Sequence, residues 1–160
     1  MSDNVKKVQE LLKLPQHLCN MCGKCCKIAS SKGGLTYEEL KQLAQDTDAP
    51  PSQSEGARDF LSIFVPYESL DDARKVSPGF VDVFSEKFKH KADFSLFYCK
   101  FLKDNKCTIH EDRPLLCRMY PIPHEKTLYE PGCGFKEQGE KNWTEIDSIL
   151  KSLEAKLNSQ

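Results

Sequence analysis

Eight cysteines in 160 residues fall into two islands, and their spacing is the chemical signal of this chain. Cys19, Cys22, Cys25 and Cys26 occupy eight residues as C-x-x-C-x-x-C-C. Cys99, Cys107, Cys117 and Cys133 lie within thirty-five residues, after seventy-two intervening ones. Thiolate sulfur is a soft ligand suited to zinc and to iron–sulfur clusters. Two-residue spacers let a chain curl until several sulfurs converge, and Gly23 permits the positive φ such a curl needs. The pattern points to a metal centre assembled from both islands. Two plainer alternatives stand beside it. One is a set of inert buried thiols, since cysteine without a partner behaves as a small hydrophobe. The other, for an exported protein, is a disulfide framework.

The spacing also bears on the metal. Paired C-x-x-C knuckles make tetrahedral zinc sites, but only the first island has that spacing; the second has gaps of seven, nine and fifteen residues. A C-x-x-C-x-x-C tripod with one distant cysteine is how iron–sulfur cubes are held, although Ala29 stands where a ferredoxin-type run has its fourth cysteine. An iron–sulfur cluster of the 4Fe–4S kind is therefore expected ahead of Zn2+. Eight cysteines also allow two four-ligand sites, or one cluster and one zinc.

Lys24 and Lys27 carry charge that would offset thiolates and lower thiol pKa values. Arg113 and Arg118 flank Cys117 and could donate hydrogen bonds to sulfur or to nearby carboxylates. They could equally pair with Glu111 or Asp112 as ordinary salt bridges. His17, His110 and His124 are spare ligands, more readily read as hydrogen-bonding neighbours. No nucleophile–base pair emerges from the spacing, so catalytic residues are unknown, and any catalysis would belong to the metal.

Composition narrows the setting. The 23 Lys+Arg against 24 Asp+Glu leave a net charge of −1, too little to recruit nucleic acid or an anionic membrane through a global field. No run approaches the ~18 apolar residues of a membrane span. The first residues are polar and lead into an amphipathic segment, not an apolar signal core. A cytoplasmic protein is expected, and in a reducing cytosol clustered cysteines mean metal or redox chemistry. Lys87-Phe88-Lys89-His90-Lys91, the one basic run with an aromatic inside it, reads as a solvated face.

The elements that would position the cysteines follow from periodicity and punctuation. Val5, Val8, Leu11 and Leu12 predict a helix over 4–13, ended by Pro15. Thr36 and Glu39 form a capping-box pattern before a helix reaching about Asp46. A second helix is expected over Ser54–Ile63, and a short helix or strand over 80–88. Residues 97–102 and 107–110 predict a hairpin around Asp104-Asn105, whose residue types tolerate positive φ. A short helix capped by Asp112, with Pro114 in its first turn, would carry Cys117. Gly132 and Gly134 bracket Cys133, letting backbone approach closely. Trp143, Ile146, Ile149, Leu150, Leu153 and Leu157 mark an amphipathic C-terminal helix of about four turns. The fold class is α+β: a mainly helical small domain with a short β-hairpin, organised around a cysteine metal site. Its parts are an N-terminal helix (1–16), the metal-binding region (17–135) and a C-terminal helix packed on it (136–160).

The segments Cys99-Lys-Phe-Leu and Cys107-Thr-Ile-His-Glu-Asp-Arg-Pro-Leu-Leu-Cys117-Arg-Met-Tyr-Pro, downstream of the first island, carry a resemblance. Over roughly residues 17–135 the chain resembles the C-x-x-C-x-x-C-C (YkgJ-type) cysteine-cluster family, with all eight cysteines in place. The resemblance implies a zinc- or iron-chelating domain. Some larger proteins with this cluster are linked to protein methylation, but no Gly-rich nucleotide loop follows a strand here. Three functions are expected. One is a structural metal module with a protein partner; another is a redox carrier. The alternative is a metal-dependent oxidoreductase or protein-modifying enzyme with an open coordination position. A centre ligated wholly by cysteine favours the first two.

Overall fold

A computed structural model describes residues 2–23, 26–129 and 132–159. Lys24 and Cys25, expected as a charge partner and a ligand, lie outside the described residues. In chain order the elements are α1 (Asp3–Leu11), a 3-10 turn (Gln16–Leu18), α2 (Tyr37–Gln45), α3 (Pro51–Ile63), β1 (Phe64–Pro66), α4 (Leu70–Val76), α5 (Pro78–Lys87), β2 (Phe97–Cys99), β3 (Leu102–Lys103), β4 (Lys106–Cys107), α6 (Leu115–Arg118) and α7 (Lys136–Asn158). The protein is a small, mainly helical α+β fold with two short antiparallel strand pairs. No described helix is long and apolar enough to cross a membrane. The chain divides into two compact units, one formed by Met1–Cys22 with Glu111–Gln160, the other by Gly23–His110.

The first unit is built on α1 against α7. The last carbonyls of a helix lack intrahelical partners, and that of Leu11 accepts a 2.8 Å hydrogen bond from Asn142 Nδ2. Asn142 is buried, and its Oδ1 accepts in turn from Gln138 Nε2. Lys7 pairs with Glu145 at the surface. Leu14, Phe135 and Ile146 are the buried apolar residues here. α7 is longer than periodicity predicted, at 23 residues, because no proline or glycine interrupts the chain after Gly139.

The second unit has two apolar clusters. Leu40, Ala57 and Phe97 join α2, α3 and β2, with Phe60 edge-on to Phe97. Ile28, Ala73, Val81 and Leu96 form the other, with Phe80, Phe84 and Phe94 against it. The expected capping box starts α2: Thr36 N–H donates to Glu39 Oε2 and Glu39 N–H to Thr36 Oγ1. Residues 80–88 resolve as helix, since Val81, Phe84 and Phe88 recur at helical spacing and Pro78 opens the element. In the basic run, Phe88 is buried, and Lys89 and Lys91 pair with Glu86 and Glu39.

Two local expectations are corrected. Phe97–Cys99 is not an arm of the hairpin; it pairs with β1 in the register Phe64↔Cys99. Its buried–exposed–buried alternation needs a sheet partner over the α2/α3 core, and β1 supplies one. The hairpin keeps only Leu102↔Cys107 and Lys103↔Lys106, turning through Asp104 and Asn105 at φ 50° and 61°. α6 begins one residue after Pro114, which occupies the cap position expected of Asp112.

Candidate metal centre

In the first unit, two loops carrying cysteines meet backbone to backbone. A Cβ added to Gly134 would lie 1.8 Å from the Leu18 carbonyl oxygen, so only glycine allows this approach. On the other side of Cys133, the Gly132 carbonyl accepts a 2.6 Å hydrogen bond from Asn20 Nδ2. The residues flanking Cys133 therefore contact the residues flanking Cys19. The Cys117 helix is tied to the same stretch: Gln16 Nε2 donates to the Arg118 carbonyl at 2.9 Å, and Arg113 Nη2 donates to Gln16 Oε1 at 3.0 Å. Arg113 thus orients Gln16, a contact not foreseen from the sequence. Cys19, Cys22, Cys117 and Cys133 are all partly buried.

Beside them, the Tyr129 hydroxyl is buried and has no hydrogen-bond partner among the described residues. It lies against Gly139 of α7, where an added Cβ would fall 2.0 Å from it. Burial pushes the phenol pKa up, and the charges of Cys133 and Glu140 add to that. A buried hydroxyl without a partner is an exception to the rule that buried polar groups are hydrogen-bonded.

In the second unit, Gly23 plays the same part as Gly134. At φ +71°, it presses on the hairpin turn, and an added Cβ would lie 1.9 Å from the Asn105 carbonyl oxygen and 3.0 Å from Leu102 Cδ1. The Cys26 N–H donates to the Gly23 carbonyl. Three residues further on, Ala29 and Phe97 exchange backbone hydrogen bonds of 2.8 and 2.9 Å. The Tyr67 hydroxyl donates to the Lys27 carbonyl. The segment after Cys26 is therefore clamped to the strand that ends in Cys99.

The result is a thiol pair. A hydrogen bond from Cys26 is the largest influence holding the Cys99 thiol down, to a pKa of about 6, against the opposing effect of burial. The backbone N–H groups of Phe101 and Leu102 and the charge of Lys100 assist; Phe101 N lies 3.4 Å from Cys99 Sγ. The shift favours the thiolate, the form that ligates metal. Cys107 stands opposite Leu102, which Gly23 touches.

No disulfide joins the described cysteines. Nor, among the described residues, do three His, Cys, Asp or Glu side chains converge to ligand distance. The donors that the folding brings into each neighbourhood are thiols. His17 is exposed, and His124 is engaged elsewhere, its ring 4.9 Å from Trp143 and its Nδ1 accepting from Lys126 N–H. The Cys99 sulfur, with a backbone N–H aimed at it and the Cys26 thiol beside it, suits a thiophilic metal. A bound zinc would supply cross-linking metal–sulfur bonds, and an iron–sulfur cluster would add a reversible electron.

Residues 18–134 match the model of the CxxCxxCC family, described as "Putative zinc- or iron-chelating domain", and the chain belongs to that family. No curated protein and no solved structure matches the chain.

Proposed function

We propose that this protein chelates zinc or iron through its cysteine thiolates, and that the bound metal acts first as a structural fastener for the loops that carry them. The observation behind this reading is the Cys26–Cys99 pair, with its backbone N–H donors and a thiol lowered to about 6. Such a sulfur is biased toward its charged form and has a second thiol beside it, the chemistry a thiophilic cation exploits. Metal binding at such sites is folding energy, of order ~10 kcal/mol for structural zinc. Zinc would give a fastener alone, whereas an iron–sulfur cluster would add redox capacity.

A partner-contact role accompanies the structural one. Leu115, Leu116, Met119, Tyr120 and Ile122 are exposed around Cys117, an apolar run of the kind that marks interaction surfaces.

The test is anaerobic purification of the full chain, followed by metal and acid-labile sulfide analysis and an absorption spectrum. Metal in whole-number stoichiometry with the chain is expected. A brown protein with matching sulfide identifies a cluster, and a colourless one with zinc identifies the fastener. A monomeric protein that holds neither, even after reconstitution, overturns the reading.

A further inference from the structure

Two thiols in contact have a chemistry of their own besides chelation. We propose that Cys26 and Cys99 form a reversible dithiol–disulfide site, oxidised by low-molecular-weight disulfides of the glutathione type, and that this oxidation withdraws the pair from metal. The first half stands on the geometry of the pair. The second half rests on the chelation reading above.

The Cys26 and Cys99 side chains are hydrogen-bonded to each other, although seventy-two residues lie between them in the chain. The backbone on both sides is clamped. Ala29 and Phe97 exchange hydrogen bonds of 2.8 and 2.9 Å, and two residues outward on either arm stand Lys27 and Cys99, with Cys26 next along. The Tyr67 hydroxyl holds the Lys27 carbonyl. Cys99 is registered against Phe64 of β1, and the following residue, Lys100, donates its N–H to the Ile63 carbonyl at 3.0 Å. A disulfide needs Cα atoms within about 7 Å and side chains that do not point apart. Thiols already in hydrogen-bond contact are turned toward each other, and the clamps keep them so.

The two sulfurs differ in access. Cys99 is 4% exposed, whereas Cys26 is only partly buried. Cys26 is therefore the sulfur that an incoming disulfide reaches. It attacks one sulfur of the reagent; that S–S bond breaks, and one small thiol leaves with the Cys26 proton. The Cys99 sulfur then attacks the Cys26 sulfur of the mixed disulfide, and the second small thiol leaves with the Cys99 proton. Two protein thiols lose two electrons and two protons, and the reagent becomes two thiols. Lys27 and Lys100 each follow one of the cysteines, a sign of charge suited to a reagent that carries carboxylates. Metal takes thiolates, and a disulfide offers it none, so the pair holds one or the other.

The test equilibrates the reduced, metal-stripped full chain with glutathione buffers of rising disulfide content, then traps the remaining thiols and maps cross-links by mass spectrometry. A Cys26–Cys99 cross-link is expected as the main product, reversed by dithiothreitol and retained in Cys25→Ser. An unfolded chain would instead join near neighbours such as Cys22 and Cys26, because closing a short loop costs less entropy. Cys99→Ser should stop at the mixed disulfide on Cys26, and Cys26→Ser should leave Cys99 reduced. Cross-linking of Cys26 mainly to Cys22, or of Cys99 mainly to Cys107, overturns the inference. So does a Cys99 that stays reduced in the most oxidising buffer. The wild-type map needs no variant, so a substitution that fails to fold does not decide the matter. Repeated on the zinc-loaded chain, the titration should release zinc in step with the Cys26–Cys99 cross-link. A cross-link formed with all the zinc retained overturns the coupling to metal and leaves the dithiol site standing. A chain that takes up no zinc or iron overturns the chelation reading, and the coupling with it, while the cross-link map still decides the dithiol site.

Discussion

At the scale of single residues, two glycines matter as much as the cysteines. Gly134 and Gly23 are each pressed against a backbone carbonyl, with no room for a methyl group. A clash with backbone cannot be relieved by swinging a side chain away, so the two loops must part. Overpacking of this kind costs typically 1–3 kcal/mol, and each ~1.4 kcal/mol is tenfold in affinity. Gly134→Ala is expected to weaken cobalt(II) binding to the reduced full chain, read from the sulfur-to-cobalt charge-transfer band, by roughly tenfold or more. Gly23→Ala should weaken it likewise. Gly33→Ala is the control, because Gly33 has φ +79° but nothing within 4 Å; it tests backbone strain without a clash. Equal weakening by all three would assign the effect to strain and remove the argument from close approach. The sequence marks Gly23 and the Gly-bracketed Cys133 as places of unusual backbone. It does not reveal what they approach, because a carbonyl oxygen belongs to every residue and leaves no signature.

At the scale of elements, what was legible was local. The Thr36/Glu39 capping box is visible because both partners lie within four residues and only a few residue types can form it. The Asp104-Asn105 turn is visible for the same reason. What was not legible is pairing at long range. Phe97–Cys99 reads as a hairpin arm beside the turn that follows it, yet it pairs with Phe64–Pro66, because the α2/α3 core rewards the burial of Phe97. The Asn142 bridge between α1 and α7 is equally silent. An asparagine in an amphipathic helix looks like surface, but this one satisfies the end of another helix. Asn142→Leu leaves the Leu11 carbonyl without its donor and Gln138 without its acceptor. A loss of about 1–3 kcal/mol is expected in urea unfolding. A neutral or stabilising result would show that apolar contact replaces the bridge.

At the scale of the whole molecule, the two units differ in how much apolar core they bury, and so in how much a bound metal would matter to each. The second buries Ile28, Leu40, Ala57, Ile63, Ala73, Val81, Phe88, Leu96 and Phe97. At roughly 1.5–3 kcal/mol for each large buried side chain, that is a serviceable core by itself. Among the described residues, the first unit has only Leu14, Phe135 and Ile146 as buried apolar side chains besides prolines. By the same measure they supply under ~10 kcal/mol, against an ordering cost of about 1–2 kcal/mol per residue for the backbone alone. A structural metal contributing on the order of 10 kcal/mol therefore weighs far more in the first unit. Stripping metal with a chelator should collapse amide protection across α1, α6 and most of α7, while α2, α3 and the β1–β2 pair keep theirs. Hydrogen exchange read by mass spectrometry on the reduced, metal-free full chain resolves the difference peptide by peptide. Undiminished protection in α1 and α7 after complete metal removal would mean that the Asn142 bridge and the small apolar contact hold that unit unaided. The cysteines of that unit, Cys19, Cys22, Cys117 and Cys133, would then have to be explained by redox or partner chemistry instead of by folding.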